Sequence, residues 1–408
     1  MRFFQTLRNI GPGAMVAAAF IGPGTVTTAT IAGASFGYTL LWAIVFSILA
    51  TLLLQEMSAR LGIVSGMGVG DAVRRKLHGK VSFILAACLI IAAILIGNAA
   101  YEAGNITGAV LGFEQYAERF AEWPVNPLVM AIGVVAFLLL FSGTFRLIER
   151  SLILMVSVMG VVFLVSAFLL KPDLGEVIAH MFIPQLPDDA LLAVIGLIGT
   201  TVVPYNLFLH ASSVRHRWSD PSQLPAARWD TILSVVLGGI ITMAILICAA
   251  AAFDGSARSV DSAADLAAQL TPILGDWSLA FIAIGFLAAG LSSSVTAPLA
   301  AAFATSEILG WGNDLRGGRF RLIWLFVLVC GIVFSSLGLR PTSVILFAQV
   351  ANGLLLPVIA IFLLWIMNDH AIMGAHRNRP WANAFGVIVI CVTIGLGLRG
   401  ILSAAGVL

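Results

Sequence analysis

The stretch "IGNAAYEAGNITGAVLG" places an ionisable side chain, Glu102, inside a long apolar run. A carboxyl group in hydrocarbon is expensive enough to be read as functional by default. Asn98 and Asn105 lie four residues before it and three after, so all three can share one helix face directed at the protein interior. Two roles suit that face: Glu102 can carry a proton, or it can serve as a hydrogen-bonding group in a packed interface. A different chemistry needs no ionisable group at all. "AAAFIGPGTVTTA" sets Gly22, Pro23 and Gly24 in an apolar stretch, and "IGLIGTTVVPYNLFLHAS" sets Pro204 between Gly199 and Asn206. Proline removes a backbone donor and glycine adds backbone freedom, so a helix is interrupted where they occur together. The amides and carbonyls freed at such a break can hold a solute. Other polar residues read as structural. Glu56 and Arg60 are four apart near the end of an apolar run, a spacing for a helix-surface ion pair with a snorkelling arginine. Cys88, Cys248, Cys330 and Cys391 have no ligand-like spacing, which indicates neither a zinc site nor a disulfide framework and leaves them as small core residues.

These residues have to be positioned by membrane helices. Of 408 residues, 60% are hydrophobic and 10% charged, with a mean hydropathy of +1.03, whereas a soluble domain is about a quarter charged. The expected fold class is an all-α integral membrane protein. Apolar runs long enough to cross roughly 30 Å of hydrocarbon at about 1.5 Å per residue number eleven, near residues 13–34, 38–59, 81–111, 127–142, 151–170, 190–213, 231–252, 278–308, 321–338, 343–366 and 381–399. Arg2 and Arg8 precede the first run, but further apolar spans follow it in place of a polar mature domain, so it reads as a retained helix. With the N-terminus in the cytoplasm, all but five of the 22 Lys and Arg fall in inner segments such as "VRRKLHGK" and "RGGRFR"; the exceptions are Arg119, Lys171, Arg258, Arg340 and Arg399. Lys and Arg accumulate on the cytoplasmic side. The skew therefore predicts a multi-pass protein of the inner (plasma) membrane with a cytoplasmic N-terminus and an extracytoplasmic C-terminus. The formal charge of +2 gives no reason to expect a nucleic-acid partner.

The two breaks fall in the first and sixth spans, five spans apart. An odd number of spans per half sends the second half into the membrane in the opposite direction, which is the pattern of an inverted repeat. A single transmembrane domain over 1–408 is expected, with repeat one at about 13–170, repeat two at about 190–366 and an extra helix at about 381–399. Transporters built this way form a midplane site from their broken helices and rock one bundle against the other. Proline and glycine also occur in membrane helices for packing alone. Two breaks in matching positions point instead to a site.

Six stretches resemble the Nramp family of proton-coupled divalent metal transporters: "GPGAMVAAAFIGPG", "GASFGYTLLW", "LLLQEMSARLGIVSG", "TTVVPYNLFLHAS", "AAGLSSSVTAPLA" and "FAQVANGLLLP". The resemblance implies a LeuT-like fold of two inverted five-helix repeats and alternating access for a small solute. It also implies where the solute sits. In the family the first break reads Asp-Pro-Gly-Asn and its acid and amide bind the metal. Here Gly22 stands at the aspartate position, Pro23 and Gly24 keep the motif, and Thr25 stands at the asparagine position. The sixth span of the family reads Met-Pro-His-Asn, and a backbone carbonyl three residues before the methionine joins its sulfur on the ion. Here these positions are Val203, Pro204, Tyr205 and Asn206, with Thr200 at the carbonyl position. Gln349 matches a glutamine that approaches the ion when the outer gate closes, and Asn352 lies three residues further on; joining helices by hydrogen bonds is an equal alternative role for both. Glu102 and Asn105 match the two acids of the family's proton route. His210 matches a family histidine and is a third candidate for that route.

The departures change the expected chemistry. A carboxylate and a thioether are both missing, and thioethers favour transition metals while hard oxygen ligands suit magnesium, calcium and manganese. Neutral oxygen remains: freed carbonyls, the hydroxyls of Thr25, Thr200 and Tyr205, and the amide of Asn206. Dehydrating an ion costs several kcal/mol even after protein relaxation unless opposite charge offsets it. The expected substrate is therefore a hydrated or weakly bound cation such as Mg²⁺. Two alternatives stay open, a non-metal polar or anionic solute attracted to helix N-termini and a non-transporting sensor like the Nramp-like membrane domain of plant ethylene-signalling proteins. Against the sensor, the chain ends at Leu408 without a long soluble tail. An enzyme is not expected, since no nucleophile, base and orienting group cluster and no phosphate loop is visible. No cofactor is expected. The partners are the solute or ion and the bilayer, proton coupling stays open because Tyr205 replaces a histidine, and a monomer is the expected unit.

Overall fold

The computed structural model describes residues 21–404 apart from 78, 118–119, 121–122, 124, 144–145, 216, 254–258 and 313. Among the described residues there is no strand. In chain order the main helices are α1 Pro23–Phe36, α2 Leu41–Ser65, α3 Val69–Lys76, α4 Lys80–Leu111, α5 Pro127–Ser142, α6 Arg146–Leu169, α7 Leu174–Phe182, α8 Leu191–Thr201, α9 Pro204–Val214, α10 Leu224–Phe253, α11 Ser278–Leu309, α12 Gly318–Ser335, α13 Pro341–Met367 and α14 Pro380–Ala404. Nine described segments are long and apolar enough to cross a membrane, and α5 is a shorter apolar helix. The first expected span starts at residue 13, so part of it lies outside the described residues and α1 is its described portion. Most other spans begin and end within a few residues of the expected positions, whereas α10 starts at Leu224 instead of 231 and α6 at Arg146 instead of 151.

Helices result because a segment in hydrocarbon must satisfy every backbone donor and acceptor internally. Between them, caps close the exposed ends. Asn126 Oδ1 accepts from the Leu128 amide at 2.9 Å before α5, and Asp173 Oδ1 accepts from the Gly175 and Glu176 amides before α7. The bundle is built around α4, which packs on α11, α12 and α13. Around it, α1 packs on α10, α8 on α13, and both α9 and α10 on α2. Lipid chains are as apolar as leucine, so helices associate in a membrane through close packing of small residues more than through hydrophobic drive. The first half of α1, Pro23 to Thr30, is buried all round and made mainly of Gly, Ala, Val and Thr.

Large apolar side chains such as Leu138, Phe168, Phe326 and Ile388 cover the outside. This lipid-facing surface corrects the reading of the cysteines as core residues. Cys248 is buried and Cys330 half-buried, but Cys88 and Cys391 are exposed on the outer faces of α4 and α14, and all four are free thiols. The outer face of a span is as apolar as its inner face, so hydropathy does not sort one from the other. The ion pair between Glu56 and Arg60 forms at 3.0 Å, and Arg228 of α10 joins it at 2.8 Å.

Candidate functional site

The sixth span comes apart at its proline. α8 ends at Thr201, Val202 leaves the helix at φ −100° and ψ 76°, and α9 restarts at Pro204 behind an extended Val203 at φ −81° and ψ 119°. Proline tolerates the first helical position because its missing N–H is not needed there. The last carbonyls of α8 are thereby left without the amides of a following turn. Thr51 of α2 donates to one of them, Thr201 O, at 3.4 Å. The described part of the first span also starts on a proline. Gly22 is extended, Pro23 opens α1, and the Gly22 carbonyl accepts from the Thr25 and Val26 amides at 3.1 and 3.2 Å.

The two proline starts meet inside the bundle. Thr25 Oγ1 and Thr200 Oγ1 are 2.8 Å apart in a buried hydrogen bond between α1 and α8. Val203, Tyr205, Asn206 and Gln349 are each 1% exposed, so the junction is buried. Gln349 of α13 lies directly on Gly24, where an added Cβ would come within 2.1 Å of its Nε2. A side chain at this position would have to displace the end of Gln349. On the other side of Pro23, a Cβ on Gly22 would meet Ser293 Oγ of α11 at 3.3 Å and Tyr101 Oη of α4 at 3.9 Å. The Tyr101 ring packs on the Tyr205 ring with centroids 5.5 Å apart. Gly22, Pro23, Gly24, Thr25, Thr200, Tyr205 and Gln349 are thus gathered at one place, with Val203, Pro204 and Asn206 on the adjoining break.

The donor set is neutral. Asn206 Oδ1, Gln349 Oε1 and Ser293 Oγ are buried without hydrogen-bond partners. Buried acceptors are normally satisfied, and water held by a cation donates to such oxygens. Among the described residues, no three His, Cys, Asp or Glu come together in a group able to hold a metal.

Glu102 is fully buried but turned away from the break. Its neighbour Tyr101 faces Gly22, while Glu102 lies on Gly331 of α12, where an added Cβ would be 2.4 Å from Glu102 Cγ. Asn105 Nδ2 donates to Glu102 Oε2 at 3.4 Å, and Oε1 has no partner. Asn98 is also buried and donates to its own helix, to Ile94 O at 2.8 Å. The three polar residues of α4 do face the interior, toward α11 and α12 for Glu102 and Asn105. His210 Nδ1 is 2.6 Å from Gln55 Oε1 of α2, which ties α9 to α2. Further along, Ser212 donates to Glu307 Oε1, Arg215 pairs with Glu307 at 3.3 Å, and the Gly70 amide reaches Glu307 Oε2 at 3.4 Å.

Tyr101 and Gln55 are contacts the sequence reading passed over. Their signal was the same as that of Glu102, a polar group inside an apolar span. Ser293 lay within the quoted hydroxyl run "AAGLSSSVTAP", though nothing there separated it from Ser292 and Ser294.

A family model described as natural resistance-associated macrophage protein-like (Nramp) matches residues 13–403. The divalent metal cation transporter MntH of Bradyrhizobium diazoefficiens is 32% identical, over 97% of this chain and 89% of that one. In fold, the chain is similar to the crystal structure of the Eremococcus coleocola manganese transporter, with a TM-score of 0.77 at 24% identity over 99% of this chain and 88% of that one. It is also similar to Mhp1, a nucleobase-cation-symport-1 family transporter, with a TM-score of 0.59 at 15% identity over 97% and 93% of the two chains. The chain belongs to the Nramp family, as a multi-pass membrane protein of a transporter family and not an enzyme.

Proposed function

We propose that the protein is a secondary transporter that carries a divalent cation by alternating access and holds it with much of its water shell in place, with Mg²⁺ as the reference substrate. Two inverted repeats, about 13–170 and 190–366, supply the two broken helices, with the N-terminus in the cytoplasm and one chain as the working unit. The MntH relative is by name a divalent metal cation transporter. The observation that carries the hydrated state is the neutral pair Thr25 and Thr200, hydrogen-bonded at 2.8 Å where α1 meets α8. A bare divalent ion at that point would lose its hydration without gaining a counter-charge, a penalty of several kcal/mol. An ion that keeps its waters needs only acceptors, and Asn206 Oδ1, Gln349 Oε1 and Ser293 Oγ are buried acceptors without partners. Mg²⁺ dehydrates reluctantly and usually keeps several waters, which suits such a lining. Glu102 serves as the proton carrier beside this route.

The test is uptake into liposomes containing the purified protein. Mg²⁺ uptake is expected to exceed Mn²⁺ uptake at equal concentration, with Mn²⁺ competing weakly. Saturable Mn²⁺ uptake at low micromolar concentration would overturn the proposal.

A further inference from the structure

A second cavity lies away from the two breaks, where α2, α10 and the start of α14 converge at the end of the bundle rich in Arg and Lys. Its volume is about 850 Å³. Two of its three walls change character in the same direction. On α2 the lining runs from Leu49 and Leu52 to Glu56 and Arg60, which at about 1.5 Å per residue is a rise of about 16 Å. On the third wall it runs from Phe385 and Trp381 to Arg379 and Arg377, while on α10 Arg228 stands between Ile232 on one side and Pro225 and Leu224 on the other. On α2 and the third wall the apolar residues lie deeper and the guanidiniums lie toward the rim.

The charges are unbalanced. Four guanidiniums share one carboxylate, because Glu56 already pairs with Arg60 at 3.0 Å and Arg228 at 2.8 Å. Arg60 is held further by His376 O at 2.7 Å and Asn378 Oδ1 at 2.8 Å. Arg377 and Arg379 are exposed and make no ion pair among the described residues. Guanidinium matches the oxygens of a phosphate in bidentate geometry. Trp381 adds an amphipathic ring of the kind that sits at headgroup level.

We propose that this cavity binds an anionic phospholipid, with the phosphate between Arg377, Arg379 and Arg228 and an acyl chain along Leu49, Leu52, Ile232 and Phe385. The polarity gradient selects the ligand. A soluble anion would use the cationic rim and leave the apolar walls unmatched, and a zwitterionic lipid would bring its own cation to a rim that already has an excess of them. Basic pockets between membrane helices bind anionic headgroups on the same grounds. The bound lipid would join α2 and α10 to the segment that leads into α14.

The experiment is native mass spectrometry and thermal unfolding of the full chain in detergent, with added phosphatidylglycerol, phosphatidylcholine or inorganic phosphate. The wild type is expected to retain phosphatidylglycerol in preference to phosphatidylcholine and to melt higher with it, while inorganic phosphate gives no shift. In Arg377→Gln with Arg379→Gln, two exposed cations are lost and phosphatidylglycerol retention should fall roughly 30-fold. Leu49→Trp, which narrows the apolar end and leaves every guanidinium in place, should also weaken retention. Equal retention of the two lipids by the wild type, or an unchanged preference in the double variant, would overturn the proposal. A shift with inorganic phosphate that matches the lipid's would overturn it in favour of a soluble-anion site.

Discussion

Replacing Gly22 with aspartate restores a formal charge at the junction of α1 and α8, and the surroundings of Gly22 set what that charge should do. Its backbone, at φ −118° and ψ −174°, lies in the extended region open to any residue. The nearest heavy atoms to a new Cβ are Ser293 Oγ at 3.3 Å and Tyr101 Oη at 3.9 Å. Both are hydroxyls that can turn to donate to a carboxylate, and each charge-assisted bond is worth about 1.5–3 kcal/mol. Against that stands the burial of an unpaired charge, several kcal/mol after relaxation. The metal-free variant should therefore be less stable than the wild type by about 1–3 kcal/mol. A divalent ion about 4 Å from the carboxylate gains roughly 8 kcal/mol of attraction at an effective dielectric constant of about 20. Dehydration consumes most of this gain, and a surplus of about 2 kcal/mol corresponds to roughly 30-fold tighter Mn²⁺ binding. Thermal unfolding of both proteins with and without Mn²⁺ reads both effects, and titration calorimetry reads the affinity. Gly22→Asp should melt lower than the wild type without metal and recover with Mn²⁺, while the wild type shows little response. A Mn²⁺ shift in the wild type as large as in the variant would refute the reasoning, as would a variant that is neither destabilised nor responsive.

Two further substitutions probe the parts on either side. Glu102→Gln should abolish uptake driven by a pH gradient and leave cation binding unchanged; flux equal to the wild type would return Glu102 to a packing role against Gly331. Thr25→Val and Thr200→Val, alone and combined, form a double-mutant cycle in SDS unfolding, with an expected coupling of about 1 kcal/mol for a buried neutral hydrogen bond. Strict additivity would show that the contact contributes nothing to joining α1 and α8.

The spans from the second onward and the sixth-span break were legible in the sequence because each depends on a local property. Run length against bilayer thickness locates a crossing helix, and Pro204 ends the turn before it wherever the rest of the chain lies. The direction of a side chain around a buried helix is not local. Tyr101 and Glu102 are neighbours in sequence and about 100° apart around α4, yet one faces Gly22 and the other Gly331. No periodicity of polar residues distinguishes those faces, because α4 is packed on several sides along this stretch. The pairing of His210 with Gln55 was hidden for a related reason. Each residue reads as a polar group in an apolar run, and only the approach of α9 to α2 makes them partners. Cys88 and Cys391 show the same limit from outside, since a lipid-facing position and a core position have the same hydropathy.

The position of the break follows from what holds its two halves. α9 is fastened to α2 by Ser58 Oγ donating to Leu207 O and by His210 to Gln55, and to α11 by Ser212 and Arg215 on Glu307. α8 is held mainly by another group, α1 and α13, with one hydrogen bond back to α2, from Thr51 to Thr201 O at 3.4 Å. It is hydrogen-bonded to α1 through Thr200 and packs along α13, where Gly199 lies against the Gln349 backbone. A continuous sixth helix would make both groups one rigid body. Val202 and Val203 lie between α8 and α9; the Val202 amide still closes the last turn of α8 on Ile198 O at 2.8 Å, so the link from Val202 to Val203 is where the backbone can turn without opening either helix. The Thr25–Thr200 bond lies at that same seam. The proposed solute position thus coincides with the one stretch of the sixth span that belongs to neither helix, and the chemistry of the lining and the freedom of the backbone both trace to Pro204.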